Sequence, residues 1–547
     1  MTCSKIFSGD LTELTDEIIQ YLRNDISTLY SCILVNRLWC RLAIPLLWEN
    51  TFSIKKFKYY HFIEIYLQYL EEKDKEKLQD YGINKNLSPL NTLFNYLSFI
   101  KYLNTQNIIS TIKLWVRDSS TREIGNQSNQ LTLQSHPKYD LLKFIYESLF
   151  KIFIEREINL NTFDIFIFSN DDCDYFNIAF KLILQNQSFI HNIKNLNFNI
   201  CPTHINITTI IPYLKSINTI SSLSYEFHGC RYDQYLNIIH LPHKSNYRNL
   251  NYLFTSFKNS NILNTLKIIT FRNISFNNIF AFNEIFEQLN VLESIHIIDC
   301  YSLNSFIERI LNITKPFKLK TLFMNNELLD IDSLQLLLQK SGNYLENISF
   351  GPLINESKQQ SLELIISYCM KIKVLELFGF DDQNIYSLFN FIENIGQNLN
   401  HLAIHQISDS SNNFEISLIV LQNLGQILPF KLEYLDLNLI IENANDFKIF
   451  LKNSQNTFIN RLCIKIIIIR ESGNDILHYI KDYIMRKKRV KYLGFKVNNN
   501  ELFVLKDEVK EFELYNIKVQ IYSSLSTDFV YILKKNVLVT NVFIIKS

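Results

Sequence analysis

One spacing of apolar residues recurs along most of the chain. It consists of an apolar residue, two others, an apolar residue, one other and a third apolar residue, from IKNLNF at position 193 to a weaker last copy, VKEFEL, at 509. The fourth residues of successive copies are 27, 43, 29, 27, 26, 27, 27, 33, 27, 31 and 19 positions apart. Seven of the eleven spacings lie between 26 and 29, which indicates a repeated unit and not a set of independent domains.

Each repeated unit combines two periods. The short apolar segment alternates like a strand, whereas intervening segments such as IDSLQLLLQKSG (331–342) have the period of a helix. A strand and a helix in about 27 residues resemble a leucine-rich repeat, and the resemblance implies an α/β repeat solenoid, the leucine-rich repeat horseshoe. IISTIKLWV (108–116) and LNTFDIFIF (160–168) are expected to be degenerate first repeats. The array is therefore expected over 108–547, with a mobile polar insertion at 118–138.

The strand residues that alternate with the leucines are expected to line the concave surface, because successive strand side chains point to opposite faces. One predicted column is Lys267, His296, Phe323, Ser349, Glu376, Ala403, Asp436 and Cys463. The next column is Ile269, Ile298, Asn325, Gly351, Phe378, His405, Asn438 and Lys465. From these columns the predicted target-binding residues are Lys267, His296, Phe323, Glu376, Phe378, His405, Asp436 and Lys465, with Phe323 and Phe378 as exposed aromatic anchors.

Ahead of the array, the apolar pattern predicts three short helices within about forty residues. Thr15 is expected to cap the first helix, Asp25 to help start the second, and Asn36 to mark the start of the third, which Pro45 should end or bend. A segment this small has too much surface to enclose all its large apolar side chains, so some should meet a partner. The alternative is that these helices only cap the remainder of the chain.

The segment from Leu14 to about Phe52 resembles an F-box. The matching residues are Leu14, Glu17, Ile18, Ile19, Leu22, Leu29, Val35, Arg37, Trp39, Leu42, Ala43, Leu46, Leu47 and Trp48, with Thr15 where the family has proline. The resemblance implies docking onto a Skp-type adaptor, which bridges to a cullin and RING ubiquitin ligase. The adaptor-binding residues that it implies are Leu14, Ile18, Ile19, Leu22, Leu42, Leu46, Leu47 and Trp48. The expected organisation is an F-box-like domain over 8–54, a helical linker region over 55–107 and then the array.

Composition and charge narrow the classes of partner. The chain has 547 residues, of which 47% are hydrophobic, and its net charge is +1, so bulk charge suggests neither nucleic acid nor an anionic membrane as a partner. Its longest aliphatic run, Ile466–Ile469, is far too short to cross a bilayer. Nine cysteines without a C-x-x-C pair favour reduced thiols. An intracellular protein, cytoplasmic or nuclear or both, is expected.

Few motifs suggest catalysis or a cofactor. No phosphate-binding glycine loop is present, and the chain has only 11 glycines. The helix-cap interpretation of NDDCD (170–174) is favoured over a cation site, and a solvated helix end is favoured over a nucleic-acid or nuclear-import patch for RKKRVK (486–491). For a cluster of zinc-type ligands in the longest repeat, an insertion loop is the simpler interpretation; its members are His228, Cys230, His240 and His243.

These observations favour a non-catalytic substrate-recognition subunit of an SCF-type ubiquitin ligase, with no cofactor or metal. The target protein is unknown. The alternative is a leucine-rich repeat scaffold that recruits no ligase. An enzymatic function would require the His228 cluster to hold a metal in an open site.

Overall fold

A computed structural model of the chain forms two compact units, one of Met1–Ile274 with Asn278–Glu293 and the other of Ser275–Asn277 with Ser294–Ser547. The structure describes residues 12–23, 25–53, 62–83, 92–121, 136–190, 192–200, 220–227, 255, 258, 261–277, 279–324, 329–350, 357–379, 385–406, 413–468, 474–485, 487, 489–498 and 500–526. The predicted ligand cluster from His228 to His243 lies outside these ranges, as does most of the predicted insertion at 118–138.

Three helices open the first unit, as the sequence predicts: α1 (Thr12–Tyr21), α2 (Ile26–Cys32) and α3 (Arg37–Trp48). The side chain of Asp25 accepts a hydrogen bond from the backbone N–H of Thr28 and caps α2. In the same way Asn36 accepts from the N–H of Trp39 and caps α3. Both caps satisfy backbone donors that a helix start leaves without partners, so these two starts are confirmed.

Two expectations about these helices are wrong. Thr15 does not cap α1, because the helix begins a turn earlier at Thr12 and Thr15 is buried within it. The expected end of α3 at Pro45 is also wrong, because the helix continues to Trp48 with the proline inside it. The other expectation, a bend at Pro45, stays a prediction. The helix continues past the proline because the next two residues, Leu46 and Leu47, are buried in the core that the three helices share.

Short helices connect this part to the rest of the first unit: α4 (Phe62–Leu67), α5 (Glu72–Asp80) and 3₁₀ turns at Thr51–Ser53 and Tyr96–Phe99. Aromatic rings fill the space between them. The ring of Trp48 lies 5.9 Å from that of Tyr66 in an edge-to-face arrangement and 4.0 Å from that of Tyr96. α3 is therefore anchored to the following segment by its last residue.

The described residues of the first unit form five parallel strands, each hydrogen-bonded to the next: β1 (Tyr102–Asn104), β2 (Thr162–Ile167), β3 (Asn195–Ile200), β4 (Ser222–Phe227) and β5 (Ile268–Arg272). The helices described around these strands are α6 (Thr105–Thr121), α7 (His136–Glu155), α8 (Asn170–Gln185) and α9 (Phe282–Gln288). Parallel neighbours require crossover connections, which α6 and α7 supply between β1 and β2 and α8 supplies between β2 and β3.

The strand predicted at 160–168 is confirmed as β2, whereas the strand predicted at 108–116 is wrong. Residues 108–116 lie within α6, and the first strand is the three-residue β1 just before it. Ile108, Ile112 and Trp115 are buried at helical spacing, so the same apolar run serves a helix face. Residues 118–121 and 136–138 of the predicted insertion extend α6 and begin α7.

In the second unit, strands alternate with helices. The strands are β6 (Ser294–Ile298), β7 (Leu319–Met324), β8 (Asn347–Phe350), β9 (Val374–Phe378), β10 (His401–His405), β11 (Lys431–Ile441), β12 (Phe458–Ile468), β13 (Val490–Val497), β14 (Asn500–Glu501) and β15 (Lys518–Gln520). The helices are α10 (Leu303–Ile310), α11 (Ile331–Ser341), α12 (Ser357–Tyr368), α13 (Ile385–Ile395), α14 (Asn413–Ile427), α15 (Ala444–Asn453), α16 (Asn474–Ile480) and α17 (Lys506–Leu514).

The pairs from β6 to β13 are parallel and consecutive; β13 also pairs with β14 in the antiparallel sense and with β15 in parallel. This α/β arrangement is compatible with a repeat solenoid.

Aliphatic side chains in register form one face of this sheet, which we call the leucine face. They are buried, and they comprise Ile297, Leu322, Ile348, Leu375, Leu402, Leu435, Leu462, Leu493 and Val519. From Leu322 to Leu493 this is the alignment that the repeat spacing predicts. The apolar pattern thus identifies the core side of seven consecutive strands.

The repeat alignment is wrong at both of its less regular ends. VKEFEL (509–514) lies in α17 and not in a strand, and the last strand that the structure describes is β15. Near the other end, Leu223 is in register with Ile269 and not with Leu266, so the copy assigned to 263 is displaced by three residues. Short apolar runs suit either a helix or a strand, which explains the first error.

Of the helices that the structure describes, none combines the length and the apolar character that crossing a membrane requires.

Candidate functional site

The predicted adaptor-binding residues divide into buried and accessible groups. Ile19, Leu46 and Leu47 are buried in the core of α1–α3, where Leu22 and Leu42 pack against them. Trp48 lies in the aromatic cluster behind α3. Only two members of the predicted set are exposed large hydrophobic residues, Leu14 and Ile18 on α1. Most of the predicted set therefore serves folding in this structure, since a buried side chain offers no surface to a partner.

A larger apolar surface lies on α1, α2 and the turn after α2. Tyr21 is 89% exposed and Leu34 is 84% exposed. Together with them we define the helix-pair surface as the exposed large hydrophobic residues of this segment: Leu14, Ile18, Tyr21, Ile26, Tyr30, Leu34 and Val35. Leu14, Ile18 and Tyr21 recur at helical spacing along α1, and Ile26 and Tyr30 do so on α2, so they form stripes. A concentration of this kind is typical of an interface.

The second candidate surface is the other face of the sheet in the second unit, which we call the polar face. Its side chains alternate with the leucine face and form three rows in register. The first row is His296, Thr321, Asn347, Val374, His401, Tyr434, Arg461, Tyr492 and Lys518. The second is Ile298, Phe323, Ser349, Glu376, Ala403, Asp436, Cys463, Gly494 and Gln520. The third is Phe378, His405, Asn438, Lys465 and Lys496.

The predicted columns agree with these rows over most of the unit. The register from Phe323 to Cys463 is that of the predicted first column, and the register from Phe378 to Lys465 is that of the predicted second column. Asn325 and Gly351 lie outside the described residues.

The first predicted column is wrong at the two positions before Phe323, which are Lys267 and His296. The register shifts between Ile295 and His296, which places Ile298 opposite Phe323 and leaves His296 opposite Thr321. Lys267 lies just before β5 and two residues before Ile269, so it belongs to the same side of the chain as Ile269. Ile269 is in register with the core residue Leu223. The Nζ of Lys267 lies 2.7 Å from the carboxylate of Glu293, an exposed ion pair. Lys267 therefore does not belong to a polar row, and neither does Ile269.

His296 is a buried structural residue. Its Nδ1 lies 2.8 Å from the hydroxyl of Thr321, and its Nε2 lies 3.2 Å from that of Ser294. Burial lowers the pKa of His296 to about 3, and the charge of Lys320 acts in the same direction. The imidazole is therefore neutral near pH 7, with both ring nitrogens engaged by hydroxyl groups.

The two predicted aromatic anchors differ in accessibility. Phe323 is only 3% exposed and belongs to a buried cluster, so the expectation of an exposed ring there is wrong. Phe378 is half-buried, and its ring stacks on that of His405 at a centroid distance of 4.9 Å. Burial lowers the pKa of His405, although the carboxylate of Asp436, 3.9 Å from its Nε2, opposes this shift. Phe378 and His405 thus present one stacked pair.

Acidic groups occupy the middle of the second row. Burial raises the pKa of Glu376 to about 7; a hydrogen bond from Ser349 opposes the rise, and the carboxylates of Asp436 and Asp299 add to it. Asp436 is only 1% exposed, and its carboxylate accepts a hydrogen bond from the hydroxyl of Tyr434. A carboxyl group that titrates near neutrality in a recessed position is suited to hydrogen bonding in either protonation state.

Basic groups surround one aromatic ring of the first row. The charged ends of Arg461 and Lys491 each lie 5.5 Å from the centre of the Tyr492 ring, and that of Lys518 lies 6.0 Å from it. This row was missed in the sequence because only the fifth and seventh positions of each copy were assigned to the surface. The third position of each copy carries the signal: His401, Tyr434, Arg461 and Tyr492. The polar face therefore changes from acidic groups in its middle to basic groups at β12–β15.

The remaining motifs have structural roles. In NDDCD, the backbone N–H of Asp172 donates to the Ser169 hydroxyl, and the Asp172 carboxylate accepts from the N–H of Phe168, so the helix-cap interpretation is confirmed. In RKKRVK, the buried guanidinium of Arg489 donates to the carbonyls of Tyr483 and Ser454. Within the described ranges, no group of three or more His, Cys, Asp and Glu side chains could hold a metal ion.

Neither a comparison with protein-family models nor a comparison with curated proteins finds a match to this chain.

Proposed function

We propose that this chain is the non-catalytic substrate-recognition subunit of an SCF-type ubiquitin ligase. In this proposal α1–α3 are an F-box that docks on a Skp-type adaptor, which bridges to a cullin and a RING subunit. The strand and helix units are a leucine-rich repeat horseshoe, and its polar face captures a target protein for ubiquitin-dependent proteasomal degradation. The other subunits perform the chemistry, while this chain supplies proximity by holding the target near the transferring enzyme.

The observation that carries the proposal is the helix-pair surface. Seven large hydrophobic residues are exposed between Leu14 and Val35, a stretch of 22 residues in which the F-box resemblance begins. Leaving aliphatic and aromatic side chains in water is unfavourable by roughly 25 cal/mol per Å² of apolar area. A partner that covers this surface recovers that free energy. The resemblance provides the identity of the partner, a Skp-type adaptor.

The polar face supports the other half of the proposal. It combines the stacked Phe378 and His405 pair, the carboxyl group of Glu376 and the cations around Tyr492. Such a mixture on consecutive strands offers apolar contact and charges of both signs to a protein partner. Consecutive hydrogen-bonded strands carry these side chains, so the surface is formed before a partner binds and less entropy is lost on binding.

The test is binding of the full chain to a purified Skp-type adaptor, measured by biolayer interferometry. Replacing Tyr21 and Leu34 together by Asp removes the two most exposed side chains of the helix-pair surface without opening a core. We expect the double variant to bind at least tenfold more weakly than the wild type. Leu514→Asp, at an 81% exposed position on α17, is the matched control and should bind like the wild type.

A second function, a leucine-rich repeat scaffold without ligase recruitment, is favoured by one observation. Trp48, a member of the predicted docking set, packs against Tyr66 and Tyr96 of the following segment, as expected if the helices mainly cap the first unit. If the folded wild-type chain does not bind the adaptor, the scaffold function is supported and the ligase function is excluded. Leu42→Asp with Trp48→Ala is unsuitable for this test because both side chains are partly buried and pack against the core of α1–α3.

A further inference from the structure

The end of the described chain folds back onto the polar face. After β15, residues 522–526 form a helical turn, which we call the C-terminal turn. Leu525 is only 1% exposed, and it belongs with Tyr522 to one buried cluster. The other buried members of the cluster are polar-face residues of five different strands: Ile298, Phe323, Val374, Tyr434 and Cys463. The turn therefore rests on the surface that the proposed function assigns to the target.

Asp436 forms the polar centre of this contact. Its Oδ1 accepts a hydrogen bond from the Tyr522 hydroxyl at 3.0 Å, and its Oδ2 accepts one from the Ser526 hydroxyl at 2.9 Å. The third donor to the carboxylate is Tyr434, from the same strand. The turn thus supplies two of the three hydroxyl donors to a carboxylate that is almost fully buried. Hydroxyl donors from two elements converge on one almost fully buried carboxyl group, so this contact is specific.

The backbone of β13 is shaped to admit the turn. A Cβ atom at Gly494 would lie 3.2 Å from the Cα of Tyr522 and within 3.3 and 3.4 Å of two side-chain atoms of Leu525. Glycine is the residue that permits this close approach. At the start of the turn, the backbone N–H of Tyr522 donates to the carboxylate of Glu501 at 3.0 Å. Gly494 is thus the floor of the pocket, Asp436 its polar centre and Glu501 its rim.

A short connection joins the turn to the sheet. β15 contains three residues and pairs with β13 at three positions. Because the turn is tethered to its pocket, a modest intrinsic affinity suffices to keep it bound, as for any linked ligand of high effective concentration. A competing segment from another protein must overcome that local concentration.

We propose that the pocket formed by Asp436, Cys463, Gly494 and Glu501 is a binding site for a short helical turn that carries a tyrosine, a leucine three residues later and then a serine. In the isolated chain the C-terminal turn fills this site. A target segment of the same chemistry binds there after the turn leaves. The identification of the competitor as a ligase target rests on the proposed function, whereas the pocket and its ligand do not.

The test uses the full chain and a fluorescein-labelled peptide of residues 517–526. In Leu525→Asp with Ser526→Glu, one carboxylate enters the apolar cluster beside Gly494 and the other faces Asp436, so the tethered turn is expelled while the pocket remains intact. We expect this released variant to bind the peptide at least tenfold more tightly than the wild type, by fluorescence anisotropy. Adding Gly494→Val to the released variant should abolish the binding, since the added side chain occupies the floor. Leu514→Asp should behave like the wild type.

A folded released variant that does not bind the peptide would overturn the proposal. No adaptor takes part, so this failure is distinct from a failure of the ligase function. If the released variant does not fold, hydrogen exchange of the wild type decides. Amide exchange in residues 521–526 at least a hundredfold faster than in residues 490–497 would support a turn that leaves its pocket. Equal protection of the two segments would show a permanent part of the fold and exclude the proposal.

Discussion

At the scale of the single residue, the carboxyl group of Glu376 links the polar face to pH. Burial raises its pKa from 4.5 to about 7, and the nearby carboxylates of Asp436 and Asp299 contribute in the same direction. The folded chain therefore holds this proton more tightly than the unfolded chain. Between pH 4.5 and about 7 the folded state binds more protons, so the free energy of unfolding falls as the pH rises through this range.

Replacement of this residue by its amide removes the titration. We expect Glu376→Gln to match the wild type in stability near pH 4 and to exceed it by about 1–3 kcal/mol at pH 8, since the amide has no charge to desolvate. Urea denaturation at the two pH values measures the difference. Glu513→Gln, at an exposed position on α17, is the matched control for replacing a glutamate by its amide. An equal stability difference at pH 4 and pH 8 would contradict the assigned burial of the Glu376 charge.

The polar face also shows which site residues the sequence predicts. Alternation alone places Glu376, Ala403 and Asp436 in one row, because the two-residue period of a strand holds wherever consecutive strands keep their register. It fails at His296, where the register shifts, since an irregularity of pairing leaves no periodic trace in the sequence. Burial is the other unpredicted property. Alternation assigns Phe323 to the polar face but does not reveal that its ring is covered.

At the scale of the element, the close approach of two helices is set by a glycine. A Cβ atom at Gly425 in α14 would lie 2.9 Å from the Cβ of Asn453 and 3.0 Å from the carbonyl oxygen of Phe450, both in α15. Replacing an interior helix glycine by alanine usually stabilises a helix by about 1 kcal/mol. Here the contacts involve the backbone of the neighbouring helix, which cannot yield without separating the pair.

We therefore expect Gly425→Ala to lower the free energy of unfolding by about 1–3 kcal/mol, because overpacking outweighs helix propensity. Urea denaturation monitored by circular dichroism measures the change. Gly396→Ala is the control, since a Cβ atom there would meet only carbonyl groups of its own helix α13, and it should change stability less. A Gly425→Ala variant more stable than the wild type would contradict the close approach of α14 and α15.

The elements themselves were predictable where the apolar pattern is long and regular. The strands β7 to β13 and their helices follow from the repeated spacing, because each strand must bury the same face. Residues 108–116 and 509–514 were misassigned to strands because a short apolar run suits either period. In 108–116, Ile108, Ile112 and Trp115 do recur at helical spacing, so the ambiguity could have been resolved by counting matches to both periods.

At the scale of the whole molecule, the two candidate surfaces belong to different units. The helix-pair surface lies in the first unit, and the polar face with the C-terminal turn lies in the second. Local patterns predict both surfaces in outline, since each follows from the period of its own elements. The contact between Ser526 and Asp436 joins residues 90 positions apart and leaves no local pattern, which is why the occupied pocket could not be predicted.

A core substitution in one unit tests whether the two units unfold separately. Leu435 is completely buried in β11, in register with Leu402 and Leu462, so Leu435→Ala should cost about 2–5 kcal/mol in local stability. Stability in strand and helix arrays is carried by contacts between neighbours. We expect hydrogen exchange, followed by mass spectrometry, to accelerate in β10–β12, while the protection of β2 and β3 in the first unit stays unchanged.

The matched control is Leu196→Ala at a buried position of β3, which should reverse the pattern and leave β10–β12 protected. Faster exchange in both units from either substitution would show that the whole chain unfolds in one step, contrary to the division into two compact units. Under the expected outcome, a destabilising substitution in the second unit loosens the strands of the polar face and leaves the helix-pair surface folded. Adaptor binding by Leu435→Ala should then equal that of the wild type, so target and adaptor binding can be separated by substitution.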